Sequence, residues 1–194
     1  MEKDLNYLIN KANILRKHVI EMVARQGKGY VQQGLGASDL FSVLFFNELK
    51  NINSVSNIDR DRFFLSTAHN SALFHATMAE KGLINIDSLK DYCLDGSPLE
   101  INVSERLGPF VEATCGSLGQ GLSVAIGMAL SAKRRKLKSR FYVILGDGEL
   151  QEGQTWEAIL SASSWKMDNL CLVVDYNNMH CLLYTSDAAD DSGC

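Results

Sequence analysis

Several features that would point away from an ordinary globular enzyme are missing from this sequence. None of its 194 residues lies in an apolar run long enough to cross a membrane, and residues 1–6 are too polar and acidic for a signal peptide. The five cysteines show no C-x-x-C spacing, which fits structural thiols in a reducing compartment. The net charge of −4 gives no reason to expect nucleic acid. We therefore expect a cytoplasmic globular protein without membrane or nucleic-acid partners.

Two apolar runs in the carboxyl-terminal part of the chain outline a pair of β-strands. Residues 141–145 read FYVIL, residues 170–174 read LCLVV, and an amphipathic segment separates them. Runs of this kind are typical of buried strands, and the intervening segment predicts a helical, right-handed crossover between parallel neighbours. The sequence therefore predicts a βαβ unit in a fold of the α/β class.

Each of these runs is followed by a side chain that can bind a cation. Asp147, between Gly146 and Gly148, follows the first run, and Asn177 follows the second. Open α/β sheets bind ligands at the carboxyl ends of their strands. Carboxylate and amide oxygens suit Mg²⁺ or Ca²⁺, and the glycines let a large group approach the backbone. The pattern predicts a magnesium–diphosphate site, although Gly-Asp-Gly taken alone is more often an ordinary β-turn.

The first half of the chain is expected to supply helices and one further strand. Apolar residues at helical spacing predict an amphipathic helix over residues 5–23. The glycine-rich residues 27–36 are expected to form a loop, and Ser38 is expected to cap the helix that follows. Residues 60–66 predict a short buried strand, and residues 71–82 predict a helix that closes at its glycine.

A second candidate ligand segment lies in the middle of the chain. Residues 94–114 read as a long irregular loop, which in a compact domain either carries function or is disordered. Cys115-Gly-Ser-Leu-Gly-Gln-Gly121 follows and opens a helix that is rich in small residues. Glycines at such a place let backbone N–H groups point at an anion, and close packing against a neighbouring element explains them as well. The basic residues 133–138 are interpreted as a solvated helix end.

These strings resemble the transketolase family. Gly146-Asp-Gly-Glu-Leu-Gln-Glu-Gly-Gln-Thr-Trp-Glu-Ala158, with Asn177-Asn178 further on, is similar to the family's thiamine diphosphate motif, and Gly116-Ser-Leu-Gly-Gln-Gly121 is similar to a second family string. The amino-terminal subunits of split bacterial transketolases are the most similar in pattern. The resemblance implies a thiamine diphosphate-binding fold, which is a doubly wound, mostly parallel sheet with helices on both faces. It also implies thiamine diphosphate and Mg²⁺ (or Ca²⁺) as cofactors.

The same resemblance implies roles for individual residues. The metal ligands would be Asp147, Asn177 and the backbone carbonyl of Met179. The cofactor-binding residues would be His69, Gly116, Ser117, Leu118, Gly148 and Asn177. Catalytic roles are implied for His69 and Glu152, the latter through a carboxylate network at a dimer interface. From chemistry alone, His69 is more often a histidine satisfied within its turn, and Glu152 is explained equally well by the dipole of the helix that it opens.

Two positions depart from the family pattern. Tyr30 lies where the family usually has a substrate-contacting histidine, and Asn102 lies where it usually has a second active-site histidine. The loss of two imidazoles changes hydrogen bonding and proton handling near the sugar. The cofactor half of the site is therefore expected to be retained, while the substrate is expected to be an unusual sugar, sugar phosphate or ketose derivative.

The resemblance also bears on domain organisation and activity. Residues 1–179 are expected to form an incomplete diphosphate-binding domain, and residues 180–194, which match nothing in the family, are expected to be an artefactual or disordered tail. Transketolases transfer a two-carbon ketol unit from a ketose to an aldose. Because no segment corresponds to the pyrimidine-binding domain, the expected partner is a carboxyl-terminal transketolase subunit in a homo- or hetero-oligomer. The fragment alone is expected to be inactive.

Other functions fit parts of the pattern. Within the same superfamily, deoxyxylulose-phosphate synthase and the E1 component of 2-oxo-acid dehydrogenases are alternatives, but the run from Glu149 to Ala158 favours transketolase. A Mg²⁺-dependent phosphatase would need a D-x-D nucleophile motif near the amino terminus. A non-catalytic cofactor-binding or assembly module is the remaining alternative, because the partner domain and two histidines are missing.

Overall fold

The computed structural model describes residues 4–177, so the expected Met179 ligand and the tail at 180–194 lie outside the described residues. The helices are α1 (Leu5–Gln26), α2 (Val31–Gly36), α3 (Ser38–Val43), α4 (Ser71–Glu80), α5 (Gly121–Arg134) and α6 (Gly153–Ser164), and the strands are β1 (Arg62–Leu65), β2 (Phe141–Gly146) and β3 (Leu170–Asp175). No helix in the described part combines the length and the apolar character needed to span a membrane.

The strands form one parallel sheet in the order β1-β2-β3. In its register, Leu65 pairs with Ile144, and Gly146 pairs with Asp175 at the carboxyl end. The predicted βαβ unit is confirmed, because β2 and β3 are parallel neighbours and α6 lies between them in the chain. The central strand, β2, is apolar on both faces, as expected for a parallel strand covered on both sides.

Helices cover both faces of the sheet, which confirms the predicted fold class. Tyr142 and Ile144 of β2 pack into one hydrophobic cluster with residues of α1, α3 and α4. Val143 and Leu145, which point the other way, pack into a second cluster with residues of α5 and α6. Alternating residues of one strand therefore serve two separate cores.

The cluster on the α1 side is rich in aromatic rings. Phe63 of β1 contacts Phe41 and Phe45 edge-on, and it stacks on Phe74 of α4 with ring centroids 5.9 Å apart. Such ring pairs stabilise packing beyond the area that they bury. They fix α4 against β1 and so fix the turn that joins the two elements at the carboxyl end of the sheet.

The glycine-rich segment departs from its prediction. Residues 31–36, expected to be part of a loop, form α2, and Ser38 lies inside the first turn of α3 rather than at its cap. Ala37 has helical dihedral angles, so the chain passes from α2 to α3 almost without interruption. The Ser38 hydroxyl donates to the carbonyl oxygen of Gly34 at 2.7 Å, and this bond replaces the expected cap. The helix ending at Gly82 is confirmed in outline, with a left-handed φ of 72° at that glycine.

The long loop over residues 94–114 is packed rather than loose. Apart from a short 3₁₀ turn at Glu105–Leu107 it is irregular, and its apolar residues Leu99, Val103, Leu107, Phe110 and Val111 are buried. His75 of α4 holds the loop through a 2.8 Å hydrogen bond between its Nε2 and the carbonyl oxygen of Glu100. Burial lowers the pKa of His75 to about 4, so its imidazole is neutral at physiological pH.

A buried ionic cluster ties the end of this loop to the amino end of the sheet. Arg60 and Glu112 are joined at 2.6 Å, and Arg62 contacts the other oxygen of the same carboxylate at 2.9 Å. The side chains of Arg60 and Glu112 are only 2% and 4% exposed. Arg60 also donates to the carbonyl oxygen of Pro109. Opposite charges therefore compensate one another inside this end of the molecule.

Candidate functional site

Asp147 and Asn177 lie at the same edge of the sheet, where its strands end, as the sequence predicted. Gly146 and Asp175 are paired residues of neighbouring strands, and the two candidate ligands follow them by one and two positions. Asp147 opens a 3₁₀ turn (Asp147–Gln151), is 3% exposed, and accepts a hydrogen bond from the backbone N–H of Gly148 at 3.1 Å. A carboxylate and an amide thus lie at the ligand edge of an open α/β sheet.

Asp175 organises the side chains around Asn177. Its Oδ2 accepts hydrogen bonds from the amide nitrogens of Asn70 and Asn177, each at 3.2 Å. Asn70 ends the 3₁₀ turn Ala68–Asn70, which also carries His69. One carboxylate therefore orients the Asn177 amide and joins the end of β3 to the turn after β1. The sequence pattern did not indicate this function for Asp175.

His69 is 9% exposed in the turn after β1, and its ring meets that of Tyr30 edge-on with centroids 4.6 Å apart. Tyr30, predicted to lie at the place of a family histidine, is thus in direct contact with His69, the predicted cofactor-contacting histidine. Aromatic contacts of this geometry are attractive, and Tyr30 adds a hydroxyl to this side of the site. The structure brings both predicted residues to the same place.

The glycine string before α5 crosses the end of β1 at very close range. Gly116 and Gly119 have φ values of 109° and 79°, which favour glycine over residues with a side chain. An added Cβ at Gly121 would lie 2.9 Å from the Ser66 Cα and 2.6 Å from its Oγ. Glycine at position 121 is therefore required by this backbone approach.

The amide groups of this string are used differently from the sequence-based expectation. The N–H groups of Gly116 and Gly121 donate to the carbonyl oxygen and hydroxyl of Ser66, and Gly119 N–H donates to Glu149. The glycine amides thus hold the string in place rather than pointing at an anion. Among the hydrogen bonds within residues 4–177, none uses the amides of Ser117 and Leu118, two of the predicted cofactor contacts.

Asn102 lies beside the predicted cofactor residue Gly116. A Cβ added to Gly116 would meet the Asn102 Oδ1 at 2.7 Å, which places the Asn102 side chain against the glycine backbone. The residue before it, Ile101, lines a cleft of about 400 Å³ together with Lys28 and Arg106. Asn102 therefore lies against the glycine string and directly follows a residue of the cleft wall.

Glu152 lies at the N-cap position of α6, and its side chain makes no capping hydrogen bond there. The residue is exposed in the described chain, while its Cβ packs beside Gly119. The dimer-interface network that the resemblance implies for Glu152 stays a prediction, because a single copy of the chain does not contain such an interface.

Glu149 is a second site residue, after Asp175, that sequence reasoning missed. It is 1% exposed and accepts hydrogen bonds from the Ser66 hydroxyl and from the backbone N–H groups of Gly119 and Gly146. Burial raises the pKa of Glu149, while its hydrogen-bond donors favour the ionised form. Only its position, two residues after Asp147 in a predicted ligand turn, could have drawn attention to it.

The donor chemistry at this edge fits a hard divalent cation. Within residues 4–177 no three His, Cys, Asp or Glu side chains form a metal-binding cluster, so a zinc site of that kind is not found there. One carboxylate, one side-chain amide and a backbone carbonyl are instead the ligand types that Mg²⁺ and Ca²⁺ accept. The described residues therefore fit the predicted cation, and Met179, the third predicted ligand, lies outside them.

Fold and site together define a class: a parallel α/β domain that presents an acid, an amide and glycine-rich backbone at the carboxyl edge of its sheet, where phosphorylated cofactors bind. Residues 9–192 match the family model described as transketolase, thiamine diphosphate binding domain. The chain belongs to the transketolase family.

Individual members of the family are similar to this chain over most of its length. A 6-deoxy-6-sulfo-D-fructose transketolase subunit from a Clostridium species is 35% identical over 93% of this chain and 66% of its own length. An apulose-4-phosphate transketolase subunit from Actinobacillus succinogenes is 34% identical over 93% of this chain and 66% of its own length. The chain thus spans about two thirds of these relatives. Transketolase from Campylobacter jejuni superposes with a TM-score of 0.84 at 31% identity, covering 96% of this chain and 30% of that one.

Proposed function

We propose that the chain is the diphosphate- and Mg²⁺-binding part of a transketolase, which transfers a two-carbon ketol unit from a ketose to an aldose. The observation that carries this proposal is the placement of Asp147 and Asn177 after two paired, parallel strands, with Gly148 directly after the acid. A carboxylate beside a diphosphate would repel it, so a bridging divalent cation is the natural third component. Ca²⁺ would suit the same ligands.

The residues around this pair would have different roles in binding the cation and the cofactor. Asp147 and Asn177 would hold the cation, and Asp175 would keep the Asn177 amide in place. The segment Gly116 to Leu118 would lie along the cofactor. Thiamine diphosphate, when bound, supplies an electron sink for the two-carbon unit. The residues of this chain would bind and orient the reactants and exclude water.

The substrate would be recognised on the side of Tyr30 and Asn102. His69 and Tyr30 are in ring contact, so a hydroxyl of the sugar would meet a phenol beside an imidazole rather than two imidazoles. Two similar subunits are named for a sulfonated deoxyfructose and for apulose 4-phosphate, which are sugars with an anionic end. We infer a substrate of this general class, a modified or phosphorylated ketose.

Turnover would require a second polypeptide. The similar proteins from Clostridium and Actinobacillus are named as subunits of transketolases. The pyrimidine-binding domain that completes the cofactor site in the family would come from such a carboxyl-terminal partner, with the cofactor between the two chains. We expect no ketol transfer by this chain alone.

Calorimetric titration of thiamine diphosphate into the purified chain tests the proposal. Binding is expected only with Mg²⁺ or Ca²⁺, and Asp147→Ala is expected to abolish it by removing a charged metal ligand. Asp87→Ala, which changes an exposed acid in the 3₁₀ turn Ile86–Asp91, is the matched control and is expected to bind like the wild type. A folded wild-type chain that binds no cofactor, even with a carboxyl-terminal transketolase subunit present, would contradict the assignment.

A further inference from the structure

Glu149 joins parts of the chain that are distant in sequence. Its Oε1 accepts from the Ser66 hydroxyl, directly after β1, and from Gly119 N–H at 2.9 Å in the glycine string. Its Oε2 accepts from Gly146 N–H, also at 2.9 Å, at the end of β2. Glu149 itself lies in the turn that begins with Asp147. A single carboxylate thus connects all the backbone segments that border the site on this side.

The arrangement does more than cap a turn. A local cap would need only the bond to Gly146, three residues earlier, whereas the partners Ser66 and Gly119 lie 83 and 30 positions away. Ser66 is itself bonded further within the site, because its Oγ also accepts from the N–H of Gly121 at 3.2 Å. Loss of the carboxylate would therefore separate the glycine string from the end of β2 and the Asp147 turn, and would leave it held to the end of β1 through Ser66 alone.

The charge of Glu149 is matched to its donors. Three N–H or O–H groups converge on two oxygens, and among the ion pairs of the described chain none includes Glu149. Hydrogen bonds to an ionised acceptor are about twice as strong as neutral ones. A glutamine of the same shape could accept through one oxygen only, and its NH₂ group would face an N–H donor.

We propose that Glu149 is a positioning residue: its carboxylate holds the glycine string 116–121 and the Asp147 turn in one arrangement before any ligand arrives. The proposal rests on the proposed function for the identity of that ligand. Glu149 is buried behind the turn and does not contact the cofactor in this proposal. It acts by keeping Asp147 and the amides of Ser117 and Leu118 in place for the cation and diphosphate.

The test compares the wild-type chain with Glu149→Gln, first without any ligand. In NMR spectra, the amide protons of Gly119 and Gly146 are expected to move upfield in the variant, because each loses a charged acceptor. Hydrogen exchange of the segments 116–121 and 146–149 is expected to accelerate roughly tenfold, as for the loss of about one charge-assisted hydrogen bond. Glu157→Gln, an exposed acid on α6, is the control and is expected to change neither measurement.

Titration with thiamine diphosphate and Mg²⁺ then measures how far the substitution at Glu149 weakens cofactor binding. Affinity in Glu149→Gln is expected to fall about 10-fold or more, the usual effect of losing a group that orients metal ligands. Unchanged exchange and unchanged affinity in a folded variant would overturn the proposal. A wild-type chain that binds no cofactor would overturn the proposed function instead, while the exchange data, collected without ligand, would still decide whether Glu149 holds the glycine string.

A second variant covers the case in which Glu149→Gln does not fold. Ser66→Ala removes one donor to Glu149 and the acceptor of Gly121 N–H, but leaves the bonds from Gly119 and Gly146. Faster exchange is then expected at residues 119–122, with little change at Gly146. The proposal would be overturned if Ser66→Ala and the wild type exchanged at the same rate at residues 119–122 as well as at Gly146.

Discussion

Glu112 at the amino end of the sheet and Glu149 at its carboxyl end are buried in different ways. At the amino end, Glu112 is held between the guanidinium groups of Arg60 and Arg62. At the carboxyl end, the buried Glu149 and the partly buried Asp175 are held by hydroxyl, backbone N–H and side-chain amide donors, and no ion pair of the described residues includes them. The first end compensates the charge of Glu112 with two arginines, although its buried Asp61 is held by the backbone N–H groups of Lys50 and Arg140. The second end holds its acids with neutral groups alone.

This difference distinguishes the Glu112 cluster from the proposed cation site. A buried carboxylate between two guanidinium groups has its charge compensated, so a further cation gains little there. Carboxylates held by neutral dipoles keep the local potential negative, and a divalent cation placed at that edge would be attracted. Buried acids are thus found at both ends, but the charge of Glu112 is compensated by arginine, whereas that of Glu149 is not.

Breaking the amino-end cluster is expected to have the largest effect on stability. Glu112→Ala leaves Arg60 buried without its carboxylate, and removal of one partner of such a pair costs about 3–5 kcal/mol. Urea unfolding followed by circular dichroism measures this loss. Glu105→Ala, an exposed acid in the same loop, is the control and is expected to lose much less. A loss under about 1 kcal/mol in Glu112→Ala would contradict the comparison, since it would show that the cluster is not structural.

Acidification is expected to weaken the loop that runs between the two ends. His75 anchors this loop at Glu100, and burial lowers its pKa from 6.5 to about 4. Between these two pH values the unfolded chain therefore binds a proton at His75, whereas the folded chain does not. The stability contributed by neutral His75 is complete above about pH 6.5 and declines as the pH falls towards 4, by roughly 3 kcal/mol in total.

Unfolding free energies of the wild type and His75→Gln, measured at several pH values, check this expectation. The glutamine can still donate to the Glu100 carbonyl but cannot be protonated. Its stability is expected to be lower near neutral pH and to fall less steeply on acidification. Parallel pH profiles for the two proteins would show that His75 does not govern the loop.

A smaller loss of stability is expected when a methyl group is added at the carboxyl end of the sheet. In Gly121→Ala the new Cβ would lie within 3 Å of three Ser66 atoms, including the backbone Cα. Overpacking of this kind costs about 1–3 kcal/mol, and the displaced string should also weaken cofactor binding. Gly127→Ala on the same helix meets nothing within 4 Å and is expected to stabilise the chain by about 0.5–1 kcal/mol. Equal thermal midpoints for the two variants would contradict the close approach.

The sequence predicted the elements that depend on local pattern. The apolar runs at 141–145 and 170–174 are short and continuous, and their parallel pairing placed Asp147 and Asn177 correctly. The prediction of a loop at residues 31–36 was wrong, because Gly34 and Gly36 disfavour a helix locally and packing against α1 overrides that preference. A Cβ at Gly34 would meet Val19 of α1 at 2.9 Å, so the glycine that argued against a helix is what allows α2 to pack so closely.

The function of Glu149 and Asp175 could not be predicted in the same way. Their partners Ser66, Gly119 and Asn70 lie far away along the chain, and only the folded sheet brings these groups together. Short-range periodicity carries no information about such contacts. The arginine cluster at the amino end escaped prediction for the same reason, since Glu112 lies in a loop without any regular pattern.

The crossing of Gly121 over Ser66 has a consequence for the way this sequence can change. Shortening the residue at position 66 would not make room for a side chain at position 121, because the Ser66 Cα itself stands 2.9 Å from the place of that Cβ. Position 121 is thus restricted whatever its neighbour becomes. Substitutions at positions 66 and 149 are expected to be coupled, since the Ser66 hydroxyl donates to the Glu149 carboxylate. In a library of random variants, substitutions at 66 and 149 should be found together more often than chance predicts, and those at 121 should be depleted.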